Sequence, residues 1–181
     1  MMTSEDRCRR SGRLAVLFFF PLSLWVSPVM ASCGQGKVDD SLQKSFPGWR
    51  IVSLEDLRLD DQGSWAKAHP DDCPGVASGH FQSKTSQALA VTAFRASNGG
   101  LEQMLLVANA NDGKYTFQVL DGPQKVAYLS VVSRVPPGEY SGSTRKKVKV
   151  QVDSILYEAI EAGSVLYYFE HGKYRSESLA E

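Results

Sequence analysis

Residues 147–153, KVKVQVD, alternate polar and apolar side chains without a break, and that period of two admits one local structure. Successive side chains of a strand point to opposite faces, so Val148, Val150 and Val152 share an inward face while Lys147, Lys149 and Gln151 share the other. The pattern returns in 114–120, where Tyr115, Phe117 and Val119 oppose Lys114, Thr116 and Gln118, and Asn111-Asp112-Gly113 ahead of it is a hairpin turn signal. Compact apolar runs at 87–94 and 104–108 are parted by the turn Asn98-Gly99-Gly100. Further strands are predicted at 126–132, closed by Pro136-Pro137-Gly138, at 154–160, and at 165–169 and 173–179, the last two joined across His171-Gly172.

Upstream of residue 76 the pattern changes. Asp39 or Asp40 is placed to cap a short helix over 41–46 that Pro47-Gly48 ends, and 49–54, WRIVSL, reads as a first strand. A second helix is predicted over 61–69, capped by Asp60 or Asp61, with Trp65 and Ala68 on its inner face and Pro70 as its stop. The expected fold class is therefore mainly β (α+β), a curved antiparallel sheet or sandwich of seven to nine strands with one or two short N-terminal helices. The βαβ alternation of a nucleotide-binding fold is absent from the pattern.

Residues 1–32 read as a signal peptide. Arg7, Arg9, Arg10 and Arg13 precede an apolar run over 14–26 that Pro21 and Ser23 interrupt, and a membrane span needs roughly 20 consecutive apolar residues. Cleavage after Ala31 or Ser32 is expected, followed by a flexible leader over 33–38 and a single β-rich domain over 39–181. Met30-Ala31-Ser32-Cys33 resembles the bacterial lipoprotein signal, which implies lipidation of Cys33 and a membrane tether. In the competing reading Cys33 pairs with Cys73 in an oxidising compartment. That disulfide would close a loop of about 40 residues and stabilise the fold by roughly 3–4 kcal/mol in the chain-entropy model. Either way the protein is exported, to the periplasm or beyond, and meets a membrane only if Cys33 is lipidated.

Losing the leader removes four arginines and two acids, taking the net charge from +0 to about −2, so nothing advertises nucleic acid as a partner. The basic cluster Arg145, Lys146, Lys147 and Lys149 lies in the alternating segment and reads as a solvated strand face.

Residues 79–91, GHFQSKTSQALAV, resemble one unit of the FG-GAP or VCBS type of repeat, in which an acidic loop of alternating Asp and Asn runs into an apolar strand. Calcium takes 6–8 hard oxygen ligands. The positions that would carry them are His80, Gln82, Lys84 and Ala88, none of them a carboxylate, so the resemblance implies the hairpin and argues against a metal. The ending 167–179, YYFEHGKYRSESL, has the aromatics and glycine turn with which such modules close. The two patches are similar to small bacterial envelope proteins carrying one degenerate unit, which implies a binding or scaffolding role by analogy.

Catalytic patterns are sparse. His69 and Cys73 at i, i+4 offer two zinc ligands without a second pair at metal spacing. Ser41-x-x-Lys44 and Ser143-x-x-Lys146 match one motif of penicillin-recognising enzymes without the accompanying ones, and there is no Gly-x-Ser-x-Gly elbow. No cofactor is expected. The aromatic side chains offer an interaction surface at Tyr168, Tyr174 and Tyr140, with Trp65 as a fourth candidate. The expected function is a non-enzymatic exported binding protein whose partner is another protein or an envelope polymer. Alternatives are a periplasmic inhibitor or immunity-type protein, and a small hydrolase using His80 or His69 with a nearby carboxylate.

Overall fold

The computed structural model describes residues 36–179 other than 145 and 161. The expected signal peptide, Cys33 and the expected sites of cleavage and lipidation lie outside the described residues. The chain runs α1 (Gly36–Ser45), β1 (Arg50–Ile51), a 3₁₀ turn (Leu54–Asp56) and α2 (Leu59–Ala68). Then follow β2 (Val76–Ser83), β3 (Ser86–Ser97), β4 (Gly100–Asn111), β5 (Lys114–Val126), β6 (Val131–Val135), β7 (Gly138–Ser141), β8 (Lys147–Val150), β9 (Ser154–Ala159), β10 (Gly163–Glu170) and β11 (Lys173–Ser178). The fold is mainly β and antiparallel, with more strands than the sequence pattern predicts, among them the four-residue β7, too short to show a period; the first strand, expected over 49–54, is confined to Arg50–Ile51.

The first sheet has the path β1-β3-β4-β5, with β2 also on β3; the second has the order β11-β10-β9-β6; β7 and β8 form a hairpin of their own. The two sheets pack face to face around Ala77, Phe81, Ala90, Leu105, Val107, Val132, Ile155, Tyr157 and Tyr167. The opposite face of the first sheet, with Val91, Ala93, Met104, Leu106 and Ala108, is covered by Val38 and Leu42 of α1. Covering both faces explains why β3 and β4 read as unbroken apolar runs rather than alternating ones. On the far side of the second sheet, Val148 and Val150 of β8 lie over Leu166 and Tyr168. Each fully buried aliphatic or aromatic side chain contributes roughly 1.5–3 kcal/mol.

β1 and β2 share one edge of β3, β1 opposite Ala93 and Phe94 and β2 beginning at Val76 opposite Val91. Thr92 is the switch point: its N–H donates to the Gly75 carbonyl at 2.9 Å and its carbonyl accepts from Val52 N–H at 3.0 Å. A Cβ on Gly75 would stand 2.1 Å from the Val52 carbonyl oxygen, so no larger residue fits this crossover.

Four expectations need correction. Among the described residues α1 spans Gly36–Ser45, so Gly36, Lys37 and Val38 are helical rather than leader: Val38 and Leu42, one turn apart, are both buried against the sheet. α2 begins at Leu59 with Arg58 at the N-cap, and Asp61 is no cap; its buried carboxylate takes both Nε and Nη2 of Arg58, at 2.6 and 2.8 Å. Ala68 is exposed. The fifth strand does not stop at Leu120: it continues to Val126, paired opposite Leu101, through register shifts at Gln103–Leu106, while residues 127–130 form no strand. Val119 stays 43% exposed although it shares a face with Tyr115 and Phe117.

Candidate functional site

β2 pairs with β3 on one side only, and its other edge follows the seam between the two sheets. Ala77 and Phe81 point into the core, and the ring of Phe81 lies against Gly79. At the free edge, Val76 N–H donates to the Cys73 carbonyl at 3.3 Å. His80 N–H donates to Oδ2 of Asp153 at 2.9 Å.

Three cavities follow this edge in order. The first, about 320 Å³, is lined by His69, Asp72, Ser78, Ser133 and Arg134. The second, about 210 Å³, is lined by His80, Lys84, Pro137, Gln151 and Asp153. The third, about 300 Å³, is lined by Gln82, Lys149, Gln151, Phe169, Glu170 and His171. Gln151 and Val152 wall both the second and the third. Ser78, His80 and Gln82 enter the three in succession, over about 13 Å of strand at 3.3 Å per residue.

All three histidines of the described chain stand on this seam, each beside a carboxylate. His69 Nδ1 lies 3.4 Å from Asp72 Oδ2, and its ring stacks on the Trp65 indole at 4.1 Å. His80 Nδ1 lies 3.7 Å from Asp153 Oδ2. His171 Nδ1 lies 3.6 Å from Glu170 Oε2, on a turn where His171 and Gly172 both have positive φ. Asp153 is buried and also faces Arg134 Nη1 at 3.6 Å, so one carboxylate joins β2, β6 and the start of β9. A buried carboxylate left without such partners would be costly, and here the partners come from both sheets.

Of the four aromatics expected at an interaction surface, Trp65 and Tyr168 are buried and Tyr140 and Tyr174 are half-buried. Trp65 is 4% exposed, packed on Val52, Leu57, Phe94, Leu129 and Val131, and donates its Nε1–H to the Asp72 carbonyl at 3.3 Å. Tyr168 is 8% exposed beneath the β7–β8 hairpin. Tyr140 packs into the same cluster and donates its hydroxyl to the Pro136 carbonyl. Tyr174 packs against the inter-sheet core beside Gln82, and burial pushes its hydroxyl up to about 12. The exposed tyrosine is Tyr128, over which the Arg58 guanidinium sits 4.2 Å from the ring centre. Hairpin formation hides Tyr168 through a contact that strand alternation cannot foresee.

Of the expected cysteine pair, Cys73 lies with its Sγ 3.9 Å from the Val52 carbonyl oxygen, and Cys33 is outside the described residues. Ala88 is buried, so it does not join His80, Gln82 and Lys84 at the seam. Among the described residues no three His, Cys, Asp or Glu side chains come together as a metal site. Lys147 pairs with Glu139 at 2.6 Å and Lys146 with Glu177 at 3.8 Å, while Lys149 lines the third cavity. Asp153, Arg134 and Glu170 escaped the sequence reading; the one signal was Asp153 ending the alternating run on its polar face.

No family model, curated protein or solved structure matches the chain.

Proposed function

We propose that the chain is an exported, non-enzymatic binding protein that seats an extended polar ligand along the free edge of β2. Export rests on the basic and apolar leader, and the Cys33–Cys73 disulfide belongs to the same proposal. The observation that carries the binding role is the gathering of His69, His80 and His171 onto one strand edge from α2, β2 and the β10–β11 turn. The side chains there offer donors and acceptors along a line rather than around one point. Asp153, the most buried carboxylate of the set, spends its Oδ2 on the His80 backbone and on Arg134, which commits it to joining the sheets.

The test is co-sedimentation of the mature protein with insoluble envelope polymer from its native-type host. Wild type is expected to sediment, and a His80→Ala, Lys84→Ala double variant to stay in the supernatant. Equal sedimentation of both would overturn the site. Intact mass of the same preparation, before and after reduction, reads the disulfide: the mass is expected to start after the leader and to rise on reduction. A diacyl or triacyl increment on Cys33 would replace the disulfide by a membrane tether.

A second reading rests on the first cavity. There Nδ1 of His69 faces Asp72 and leaves Nε2 for a substrate proton, with Ser78 and Ser133 in the same wall. Turnover of acyl or ester substrates that disappears in His69→Ala would establish a small hydrolase in place of a binder.

A further inference from the structure

We infer that the occupant of the second and third cavities is a carbohydrate chain bearing acidic groups. This rests on the proposed binding role and names the ligand class for the same seam.

Four observations support it. Gln151 stands between the two cavities and Gln82 lines the third, so the ligand meets amides that both donate and accept. Vicinal hydroxyls make the complementary demand, since each also donates and accepts. Phe169, held edge-on by Tyr174 with ring centres 5.2 Å apart, gives the third cavity an apolar wall for the C–H face of a sugar ring.

Charge supplies the acidic part. Asp153 is already engaged by Arg134 and the His80 N–H, and Glu170 faces both His171 and Arg175 Nε, the latter at 3.9 Å. Lys84 forms no ion pair among the described residues and opens onto the second cavity. A ligand carboxylate or phosphate is the partner its charge lacks.

The fourth observation weighs against a peptide. A peptide strand added to β2 would need the edge N–H groups, and Val76 and His80 already spend theirs on Cys73 and Asp153. The edge therefore offers side chains to a ligand and withholds much of its backbone.

The experiment is titration calorimetry on the mature, oxidised chain with three probes of equal length: a uronic acid oligosaccharide, a neutral glucose oligosaccharide and an oligoglutamate peptide. Expected is tightest binding of the uronate, weaker binding of the glucan and none of the peptide. Lys84→Ala should weaken the uronate at least tenfold and leave the glucan unchanged. Gln151→Ala should weaken both, with an unaltered thermal midpoint showing that the fold is kept, and Lys125→Ala on β5, which lines none of the three cavities, should change neither.

Peptide binding as tight as the uronate, or uronate binding indifferent to both variants, would overturn the inference. If polymer sedimentation depends on His80 and Lys84 while no saccharide binds or competes, the carbohydrate class fails and the binding role stands. If polymer does not sediment the protein at all, the binding role itself fails.

Discussion

β2 presents two contrasting sides within a single residue step. Phe81 is fully buried between the sheets, and His80 beside it is nearly half exposed on the seam. The pair β3–β4 repeats the first condition over its whole length: Leu105 and Val107 enter one core, Leu106 and Ala108 the other. The seam repeats the second, with charged and amide side chains around open volume. Apolar burial is concentrated in a strand pair covered on both faces, while the neighbouring edge carries polar groups of two kinds: buried Asp153, which ties the sheets together, and His80, which stays nearly half exposed.

The largest effect expected from breaking this contrast is Phe81→Ala, a cavity in the inter-sheet core that should cost about 3–5 kcal/mol. Its reading is a lower denaturant midpoint with an unchanged slope.

Alkaline unfolding comes next. Burial pushes Tyr157 and Tyr174 up to about 12. Above the ordinary tyrosine value of about 10 the unfolded chain sheds these protons and the folded chain keeps them, so stability falls as pH rises from about 10 to about 12. The more deeply buried Tyr157 accounts for at most about 3 kcal/mol of that loss. Tyr157→Phe should flatten the curve in this window and leave the curve below it parallel to wild type.

Asp153→Ala follows, because it strands the His80 N–H and unpairs Arg134; about 1–3 kcal/mol is expected. Since Asp153 joins the sheets, hydrogen exchange at His80 should accelerate ahead of exchange in β3 and β4. The smallest stability effect belongs to His80→Ala, within about 0.5 kcal/mol, as for an exposed site. The same change should still impair polymer binding. Were His80→Ala as destabilising as Phe81→Ala, the division between scaffold and seam would collapse.

Much of the scaffold was legible in the sequence. Val148 and Val150 declared the inward face of β8, and Asn111-Asp112-Gly113 and His171-Gly172 marked turns in which Asp112, Gly113, His171 and Gly172 all take positive φ. The second half of β5 was not legible, since the alternation ends at Leu120 and residues 121–126 become strand through pairing with β4. Local propensity yields there to a long partner strand.

Only fragments of the proposed seam are legible: His80, Gln82 and Lys84 occupy positions of a calcium-type loop that carries no carboxylate, and His80 or His69 is the base of the alternative hydrolase reading. That His171, nearly a hundred residues on, joins them on one edge is a fact of topology that spacing does not encode. Topology likewise takes two of the expected aromatics from the surface: the β7–β8 hairpin folds over Tyr168, and Trp65 of α2 packs into the core, while Tyr140 and Tyr174 stay half-buried.

The most direct test of the account is amide chemical-shift mapping of the mature, isotope-labelled protein titrated with solubilised envelope polymer. Shifts are expected to cluster at Ser78, His80, Gln82, Lys84, Gln151 and His171 and to leave the exposed residues Tyr128 and Leu59 unmoved. Shifts confined to Tyr128, Leu59 and their neighbours, with the β2 edge silent, would contradict it.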